Sequence, residues 1–166
     1  MIRLATIDDS LALATIHSEG WRAAYPHIFP PEAFAFRSVE VREAEFRAGF
    51  AESAPETRIW VSESDGIVTG FAYTRPGLDA DIPNGGELKL FYVAPQLKGG
   101  GIGLPLFEHA VNDLAARGYD PYLYTLEKNS AARAWYERRG WRPDAATVPW
   151  SPDYPDILEV RYRPAE

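Results

Sequence analysis

Lys98-Gly99-Gly100-Gly101-Ile102-Gly103 lies between two segments whose patterns predict different secondary structure. Glu87 to Val93, before it, predict a strand closed by Pro95. After it, apolar residues recur at helical spacing up to Gly118, which is placed to end the helix. Glycines let backbone N–H groups approach a ligand without interference from Cβ atoms, and the N-terminus of the next helix offers unpaired N–H groups to an anion. A flexible turn would not need a fourth glycine, so the stretch predicts a phosphate-binding loop.

Two common phosphate-binding motifs do not fit this loop. A dinucleotide fold requires G-x-G-x-x-G, but Leu104 and Leu106 occupy the positions where a third glycine would fall. A P-loop ends in Gly-Lys-Ser/Thr, whereas Gly103 is followed by Leu104-Pro105. The loop therefore belongs to neither class of nucleotide-binding protein.

The remaining segments alternate between helical and strand patterns. Before the loop we expect a strand Ile2–Ile7, a helix from Asp8-Asp9-Ser10 to about Tyr25, and a helical stretch from Pro30-Pro31 through Phe50. A hairpin of Arg58–Ser62 and Ile67–Tyr73, turning at Asp65-Gly66, and a loop Pro76–Gly86 follow. After the loop and its helix we expect a strand Tyr122–Leu126, a helix Asn129–Arg139, and last strands at Trp141 and Ile157–Tyr162. This order predicts a mixed α/β fold with strand–helix–strand units in its second half.

Composition narrows the class of protein. The chain has 166 residues and no cysteine, which excludes disulfides, thiolate metal sites and a cysteine nucleophile. No apolar run approaches the roughly 18 residues that cross a bilayer, and the N-terminal residues lack the layout of a secretory signal. We therefore expect one domain, residues 1–166, that is not in a membrane and is located in the cytoplasm.

Charge and histidine placement exclude two kinds of site. The net charge is −7, and no Lys/Arg cluster supplies the basic face that nucleic-acid binding needs. His17, His27 and His109 are scattered without carboxylates at metal-ligand spacing, so no metal site is predicted. An acidic protein suits a partner that carries positive charge, such as an amine, although modest charge also simply favours solubility.

The glycine loop resembles the signature Gln/Arg-x-x-Gly-x-Gly/Ala of the GNAT superfamily, with Lys98 in place of Gln or Arg and Gly100 where the family often carries a basic residue. Residues 129–141 are similar to the family's Asn-x-x-Ala-x-x-Phe-Tyr-Glu-x-x-Gly-Phe segment, and the resemblance covers most of the chain. It implies a central, mixed, mostly antiparallel sheet of about six to seven strands flanked by about four helices. It also implies direct transfer of an acetyl group from acetyl-CoA to an amine.

The resemblance also implies which residues hold acetyl-CoA. In the family, the strand before the loop splays from its neighbour, the gap receives the pantetheine arm, and a freed N–H can stabilise the oxyanion. An ordinary paired strand is the alternative. The expected cofactor-binding residues are Phe91, Tyr92, Val93, Lys98, Gly99, Gly100, Gly101, Ile102, Gly103 and Asn129.

Two residues are candidates for the chemistry. Tyr136 lies seven residues, about two helical turns, after Asn129 on the same helix face, and its phenol could protonate the departing CoA thiolate. The alternative is a core aromatic. Glu87 stands where some family members carry the base that deprotonates the amine; strand alternation places it on one face with Lys89 and Phe91. A solvated carboxylate at a strand end is the alternative there.

The first helix suggests an acceptor pocket. His17, Trp21 and Tyr25 repeat every four residues, and Trp21 to Tyr25 resemble a Trp-Arg-x-x-Tyr segment of one branch of small GNAT proteins. Aromatic faces suit a cationic amine, so Trp21 and Tyr25 are candidate substrate-binding residues, with a core role as the alternative. An acceptor on a protein or peptide and a non-catalytic acyl-CoA sensor are alternative functions, and pairing through Ile157–Tyr162 makes a homodimer plausible.

Overall fold

Seven strands and four α-helices are formed by residues 1–52 and 54–165, the part of the chain that this computed structural model describes. In chain order they are β1 (Ile2–Leu4), α1 (Ser10–Ala24), α2 (Val39–Glu52), β2 (Arg58–Ser64), β3 (Ile67–Pro76), β4 (Gly85–Val93), α3 (Gly103–Ala116), β5 (Asp120–Leu126), α4 (Ser130–Glu137), β6 (Trp141–Ser151) and β7 (Tyr154–Pro164).

The strands form one sheet in the order β1-β2-β3-β4-β5-β7-β6. Every neighbouring pair is antiparallel except β4 and β5, which are parallel and joined through α3. A crossover helix is what a parallel connection requires. The expected mixed, mostly antiparallel sheet is therefore confirmed.

Helices cover both faces of the sheet because its strands alternate buried side chains. One face packs against α1 and α2 through a cluster of Leu13, Ala14, Ile16, Phe46, Val61 and Phe71. The other face packs against α3 and α4 through a cluster that includes Leu88, Leu106, Phe107, Ala110, Leu123 and Tyr136. The sheet thus separates two cores, and the centre of β4 contributes to each.

Element boundaries differ from the sequence-based expectation in two places near the N-terminus. β1 ends at Leu4 because the Thr6 N–H donates to the Asp9 carboxylate at 2.7 Å and starts a short 3-10 helix, Ile7–Asp9. The second helical stretch is two helices, a 3-10 helix Pro31–Arg37 and then α2, divided by Ser38 in an extended conformation.

The C-terminal hairpin is longer than expected. β6 contains Pro143 and Pro149, which argue against a strand in sequence, but β6 is the edge of the sheet and an edge strand tolerates proline. β7, which contains the Ile157–Tyr162 segment proposed to pair two copies, lies between β5 and β6. That segment therefore has no free edge, and a dimer formed by strand pairing would have to use β6 or β1.

Candidate active site

β4 and β5 separate halfway along their length. They are paired from Gly85 and Asp120 to Leu88 and Leu123, and beyond that point β4 pairs only with β3 and β5 only with β7. The gap between them matches the splay that the family resemblance implies, rather than the ordinary paired strand that was the alternative. Two cavities meet at this gap, and both are lined by Tyr25, Phe91, Tyr92, Asn129, Ala132 and Tyr136.

The first cavity has a volume of about 680 Å³ and lies between the glycine loop and α4. It brings together nine of the ten residues predicted to hold the cofactor: Phe91, Tyr92, Val93, Lys98, Gly99, Gly101, Ile102, Gly103 and Asn129. Gly100 is the exception. Its N–H donates to the Leu97 carbonyl at 3.1 Å, so this amide is already used within the loop.

The loop presents unpaired amides to the first cavity. Gly99 and Gly101 have φ of +84° and +82°, a region that side chains with Cβ rarely adopt. Within the described residues, no backbone carbonyl accepts from the N–H groups of Gly99, Gly101, Ile102 or Gly103. Together with the N-terminus of α3, these donors form an anion-binding cradle.

The second cavity has a volume of about 440 Å³ and lies on the other side of the gap. Its wall is formed by the end of α1, the Arg37–Arg42 region, β4, β5 and the β6–β7 hairpin. It includes the aromatic residues Trp21, Tyr25, Tyr73, Tyr92, Tyr124 and Trp150 and the charged residues Arg37, Arg42, Arg75, Lys89 and Glu159.

Tyr136 lies where the two cavities meet. The residue is only 8% exposed and packs against Phe107, Trp135 and Tyr162, as the core alternative predicts. Yet no described residue hydrogen-bonds its hydroxyl, and the side chain lines both cavities. Burial, and secondarily the neighbouring Tyr25, raise the pKa of Tyr136 well above its ordinary value. The phenol therefore remains protonated and available as a donor.

Asn129 serves α4 as well as the cavities. Its Oδ1 accepts from the Ala132 N–H at 3.2 Å, which caps the N-terminus of the helix. The amide nitrogen is not used in this bond. Asn129 and Tyr136 both line the two cavities, which confirms that they share a helix face.

Glu87 is placed differently from the expectation. A β-bulge leaves Lys89 opposite no residue, since Thr74 pairs with Leu88 and Tyr73 pairs with Leu90. The extra residue shifts the alternation, so Glu87 and Phe91 lie on opposite faces of β4. The prediction that Glu87, Lys89 and Phe91 share a face is therefore wrong.

The Glu87 side chain is engaged in ion pairs. It is 4% exposed, its Oε2 accepts from Arg75 Nε at 2.7 Å, and its Oε1 lies 3.7 Å from Lys89 Nζ. Glu87 lines neither of the two cavities. It is thus not the solvated carboxylate that sequence offered as the alternative, but a buried, paired one beside the second cavity.

Glu159 is a carboxylate that the sequence did not single out. It lies on β7 opposite Leu126 and lines the second cavity. Burial raises the pKa of Glu159 from 4.5 to about 7, with Lys89 lowering it and Glu87 raising it to smaller extents. A carboxylate that titrates near neutral pH is suited to accept a proton.

Trp21 and Tyr25, the predicted substrate-binding residues, are buried or partly buried and also line a cavity, so each combines the core role with the pocket role. Trp21 is 3% exposed and belongs to an aromatic cluster with Phe29 and Trp150, yet it lines the second cavity. Tyr25 lines both cavities, and burial raises its pKa. Gly20, which immediately precedes Trp21, leaves room for the Tyr92 ring, which would approach a Cβ atom there to 2.8 Å.

Neither a metal cluster nor a membrane span is found within the described parts of the chain. No three or more His, Cys, Asp or Glu side chains are grouped to hold a metal ion. None of the helices is long and apolar enough to cross a membrane.

Comparison with known proteins identifies the family. The model of the Acetyltransferase (GNAT) family matches residues 12–141. The chain is 29% identical over 157 residues to a probable N-acetyltransferase of Mycobacterium tuberculosis, covering 91% of this chain and 84% of that protein.

Solved structures share the fold. The PaiA N-acetyltransferase from Thermoplasma acidophilum, crystallised in complex with coenzyme A, has a TM-score of 0.74 and 20% identity, covering 98% of both chains. The ribosomal-protein-alanine N-acetyltransferase from Brucella melitensis has a TM-score of 0.73 and 21% identity, covering 100% of this chain and 99% of that one. The chain therefore belongs to the GNAT acetyltransferase family and is an acyl-CoA-dependent N-acetyltransferase that uses acetyl-CoA as its donor.

Proposed function

We propose that this enzyme transfers the acetyl group of acetyl-CoA directly to the amine of a small molecule. The observation that carries the proposal is Tyr136, which lines both cavities and whose hydroxyl has no hydrogen-bond partner among the described residues. A donor that reaches into both cavities is placed where a thioester in one could meet an amine in the other. Direct transfer is consistent with the absence of cysteine.

Acetyl-CoA occupies the first cavity in this proposal. Its pyrophosphate lies on the free N–H groups of Gly99, Gly101, Ile102 and Gly103. Its pantetheine arm enters the gap, where the edge of β4 from Lys89 to Val93 has no β5 partner. A backbone N–H on that edge stabilises the oxyanion, and Asn129 lies beside the arm in the first cavity.

Replacing Gly103 tests the cofactor site without straining the loop. A Cβ atom at Gly103 would lie 3.6 Å from Phe91 and Val93, which is ordinary contact distance, so Gly103→Val should fold. Its added methyls would enter the space assigned to the pyrophosphate. We expect the acetyl-CoA Kd to rise tenfold or more, about 1.4 kcal/mol, with an unchanged melting temperature. Titration calorimetry measures the Kd. An unchanged Kd in the folded variant would refute the assignment of the glycine loop as the pyrophosphate site.

The reaction needs one base and one acid. The ammonium form of the acceptor gives a proton to a base, and the neutral amine attacks the thioester carbon to form a tetrahedral intermediate. As the C–S bond breaks, Tyr136 protonates the departing thiolate, and the second proton on the nitrogen returns to Tyr136, which leaves a neutral amide and free CoA. Glu159 is the carboxylate that lines the second cavity, whereas Glu87 is held by Arg75 and Lys89. We therefore assign the base to Glu159, and paired variants test it against the sequence-based prediction of Glu87.

Glu159→Gln is expected to change both rate and stability. If Glu159 is the base, kcat/KM should fall roughly 100-fold, and the parent should lose activity as the pH falls through about 7. Because the folded-state pKa is raised, ionised Glu159 destabilises the fold above that pH but not below about 4.5. Glu159→Gln should thus stabilise the protein by about 1 to 3 kcal/mol at alkaline pH and hardly at all near pH 4.5.

Glu87→Gln is the matched comparison. It leaves Arg75 without its buried carboxylate, so we expect a lower melting temperature and a smaller loss of rate than in Glu159→Gln. Rate profiles against pH and melting curves for both variants decide between the two carboxylates. If Glu87→Gln loses more activity than Glu159→Gln, the catalytic base is Glu87.

The shape of the second cavity supports a small acceptor. Its 440 Å³ is in the range of small-molecule sites, and Trp150 on the β6–β7 hairpin packs against Trp21 and Phe29 at one end. Because one structural relative is a ribosomal-protein-alanine N-acetyltransferase, the test must include peptides. A screen of CoA release with amino acids, polyamines, aminoglycosides and peptides is expected to favour a small amine. Peptide preference, or no release with any amine, would contradict the proposal.

A further inference from the structure

Arg37 is held in an unusual setting at the wall of the second cavity. Its guanidinium carbon lies 5.0 Å from the Trp21 ring and 5.4 Å from the Trp150 ring, so the group is flanked by two indoles. Within the described part of the chain, its guanidinium makes one hydrogen bond, a long one of 3.4 Å from Nη1 to the Phe36 carbonyl. Burial lowers the pKa of Arg37, with Arg42 adding to the effect.

Arg37 also differs from the other cations that line this cavity. Arg75 and Lys89 both pair with Glu87, and Arg42 pairs with Glu45. No carboxylate within residues 1–52 and 54–165 pairs with Arg37. A guanidinium that is partly removed from water without a counter-charge is unfavourable, and an anion brought by a ligand would relieve this.

Unsatisfied polar atoms in the same cavity point to a ligand independently of Arg37. His17 Nδ1, Arg42 Nε and Ser151 Oγ are buried without a hydrogen-bond partner, and all three residues line the second cavity. His17 is 2% exposed, and burial together with Arg42 and Arg37 lowers its pKa to about 2. Its neutral ring carries one N–H. Buried polar groups are normally paired, so the polar atoms of the residues around this cavity are not fully satisfied by the protein.

The charge of the cavity is opposite to that of the protein. The chain has a net charge of −7, but the cavity is lined by four cationic side chains and one carboxylate, Glu159. A simple polyamine would meet repulsion here. An acceptor with an anionic group beside its amine would instead find a partner for each of its charges, because both Arg37 and Glu159 line this cavity.

We propose that the acceptor is an amine that also carries a carboxylate, phosphate or phosphonate group, and that Arg37 binds this anionic group. The proposal rests on the proposed function and specifies its substrate class. The indoles of Trp21 and Trp150 hold the guanidinium plane, so its planar set of donors is oriented for the anion. The amine then points toward the gap, where Tyr136 and the thioester meet.

Matched acceptor pairs test the proposal. Each pair shares an amine and differs in the anion: phenylalanine against phenylalaninamide, and 2-aminoethylphosphonate against ethanolamine, with putrescine as a polyamine reference. The parent enzyme is expected to prefer the anionic member of at least one pair by tenfold or more in kcat/KM for CoA release. A preference for phenylalanine would indicate a site for a carboxylate, and a preference for 2-aminoethylphosphonate would indicate a site for a phosphonate. Equal use of both members, or better use of putrescine, would overturn the proposal while leaving acetyl transfer to small amines intact.

Variants assign the preference to Arg37. Arg37→Gln should abolish the ratio between paired acceptors, Arg37→Lys should retain part of it, and the exposed Arg47→Gln on α2 should leave it unchanged. A preference for the anionic acceptor that survives in a folded Arg37→Gln would overturn the assignment of the anion site to Arg37.

A binding measurement tests the anion site even if the proposed function fails because no amine is acetylated. In that case, binding of inorganic phosphate to the protein is measured with CoA saturating the first cavity. Binding that Arg37→Gln abolishes would support the anion site, and no binding by the parent would refute it.

Discussion

Arg161→Met is expected to lower the free energy of unfolding by about 2 to 4 kcal/mol, because it removes the buried member of an ion cluster whose most exposed partner, Asp81, is screened by solvent. Arg161 is 4% exposed and contacts three carboxylates. Nε donates to Asp144 at 2.8 Å, Nη1 donates to Asp79 at 2.6 Å, and Nη1 and Nη2 form a bidentate pair with Asp81 at 2.8 and 2.6 Å. Methionine fills the volume but leaves the carboxylates facing one another.

The position of this cluster in the fold explains why the effect should be large. Asp79 and Asp81 belong to the connection between β3 and β4, Asp144 belongs to β6, and Arg161 belongs to β7. Asp79 also accepts from the Tyr124 hydroxyl at 2.6 Å, and Tyr124 lines the second cavity. The guanidinium therefore fixes a long loop and the edge hairpin to the strand that forms the cavity wall.

Chemical denaturation of two further variants separates geometry from charge. Arg161→Lys keeps the charge but cannot serve three carboxylates with a planar fork, so most of the loss should remain. Arg47→Met, which removes an exposed i,i+4 pair with Glu43, should change stability by less than about 0.5 kcal/mol. A loss in Arg161→Met as small as that in Arg47→Met would mean that the cluster contributes no net stability.

The parts of the site that sequence predicted are those built from neighbouring residues. The glycine loop, the helix that follows it and the Asn129 cap need only a few consecutive residues to form, so their patterns are visible in the chain. The Asp65-Gly66 turn is similar, and both residues have the positive φ that a tight hairpin requires. Nine of ten predicted cofactor residues accordingly line one cavity.

The parts that sequence missed depend on distant contacts. Glu159 lines the second cavity only because β7 pairs with β5, and an unremarkable Glu-Val-Arg on a strand gives no signal of this. Arg37 meets Trp150 across more than 100 residues. The bulge at Lys89 depends on pairing with β3. It places Glu87 on the face of β4 opposite Phe91, whereas simple strand alternation predicted that the two residues share a face.

Tyr136→Phe is expected to lower kcat by about 100-fold or more, roughly 3 kcal/mol, if the phenol protonates the departing thiolate. The interaction exists only as charge develops on sulfur, so the acetyl-CoA Kd should stay nearly unchanged. Since burial raises the pKa of Tyr136, the parent should show no loss of rate from its ionisation up to about pH 10, the ordinary pKa of a phenol.

Tyr162→Phe is the matched control, because Tyr162 packs against Tyr136 in the same core. The Tyr162 hydroxyl accepts from Arg133 Nε at 3.0 Å and donates to Glu137 Oε1 at 2.7 Å. Removing it should therefore cost about 1 to 2 kcal/mol of stability and leave kcat near normal. The Tyr136 hydroxyl has no such partner among residues 1–52 and 54–165, so Tyr136→Phe should melt like the parent. If Tyr136→Phe instead loses stability and keeps its turnover, Tyr136 is a core residue and the acid lies elsewhere.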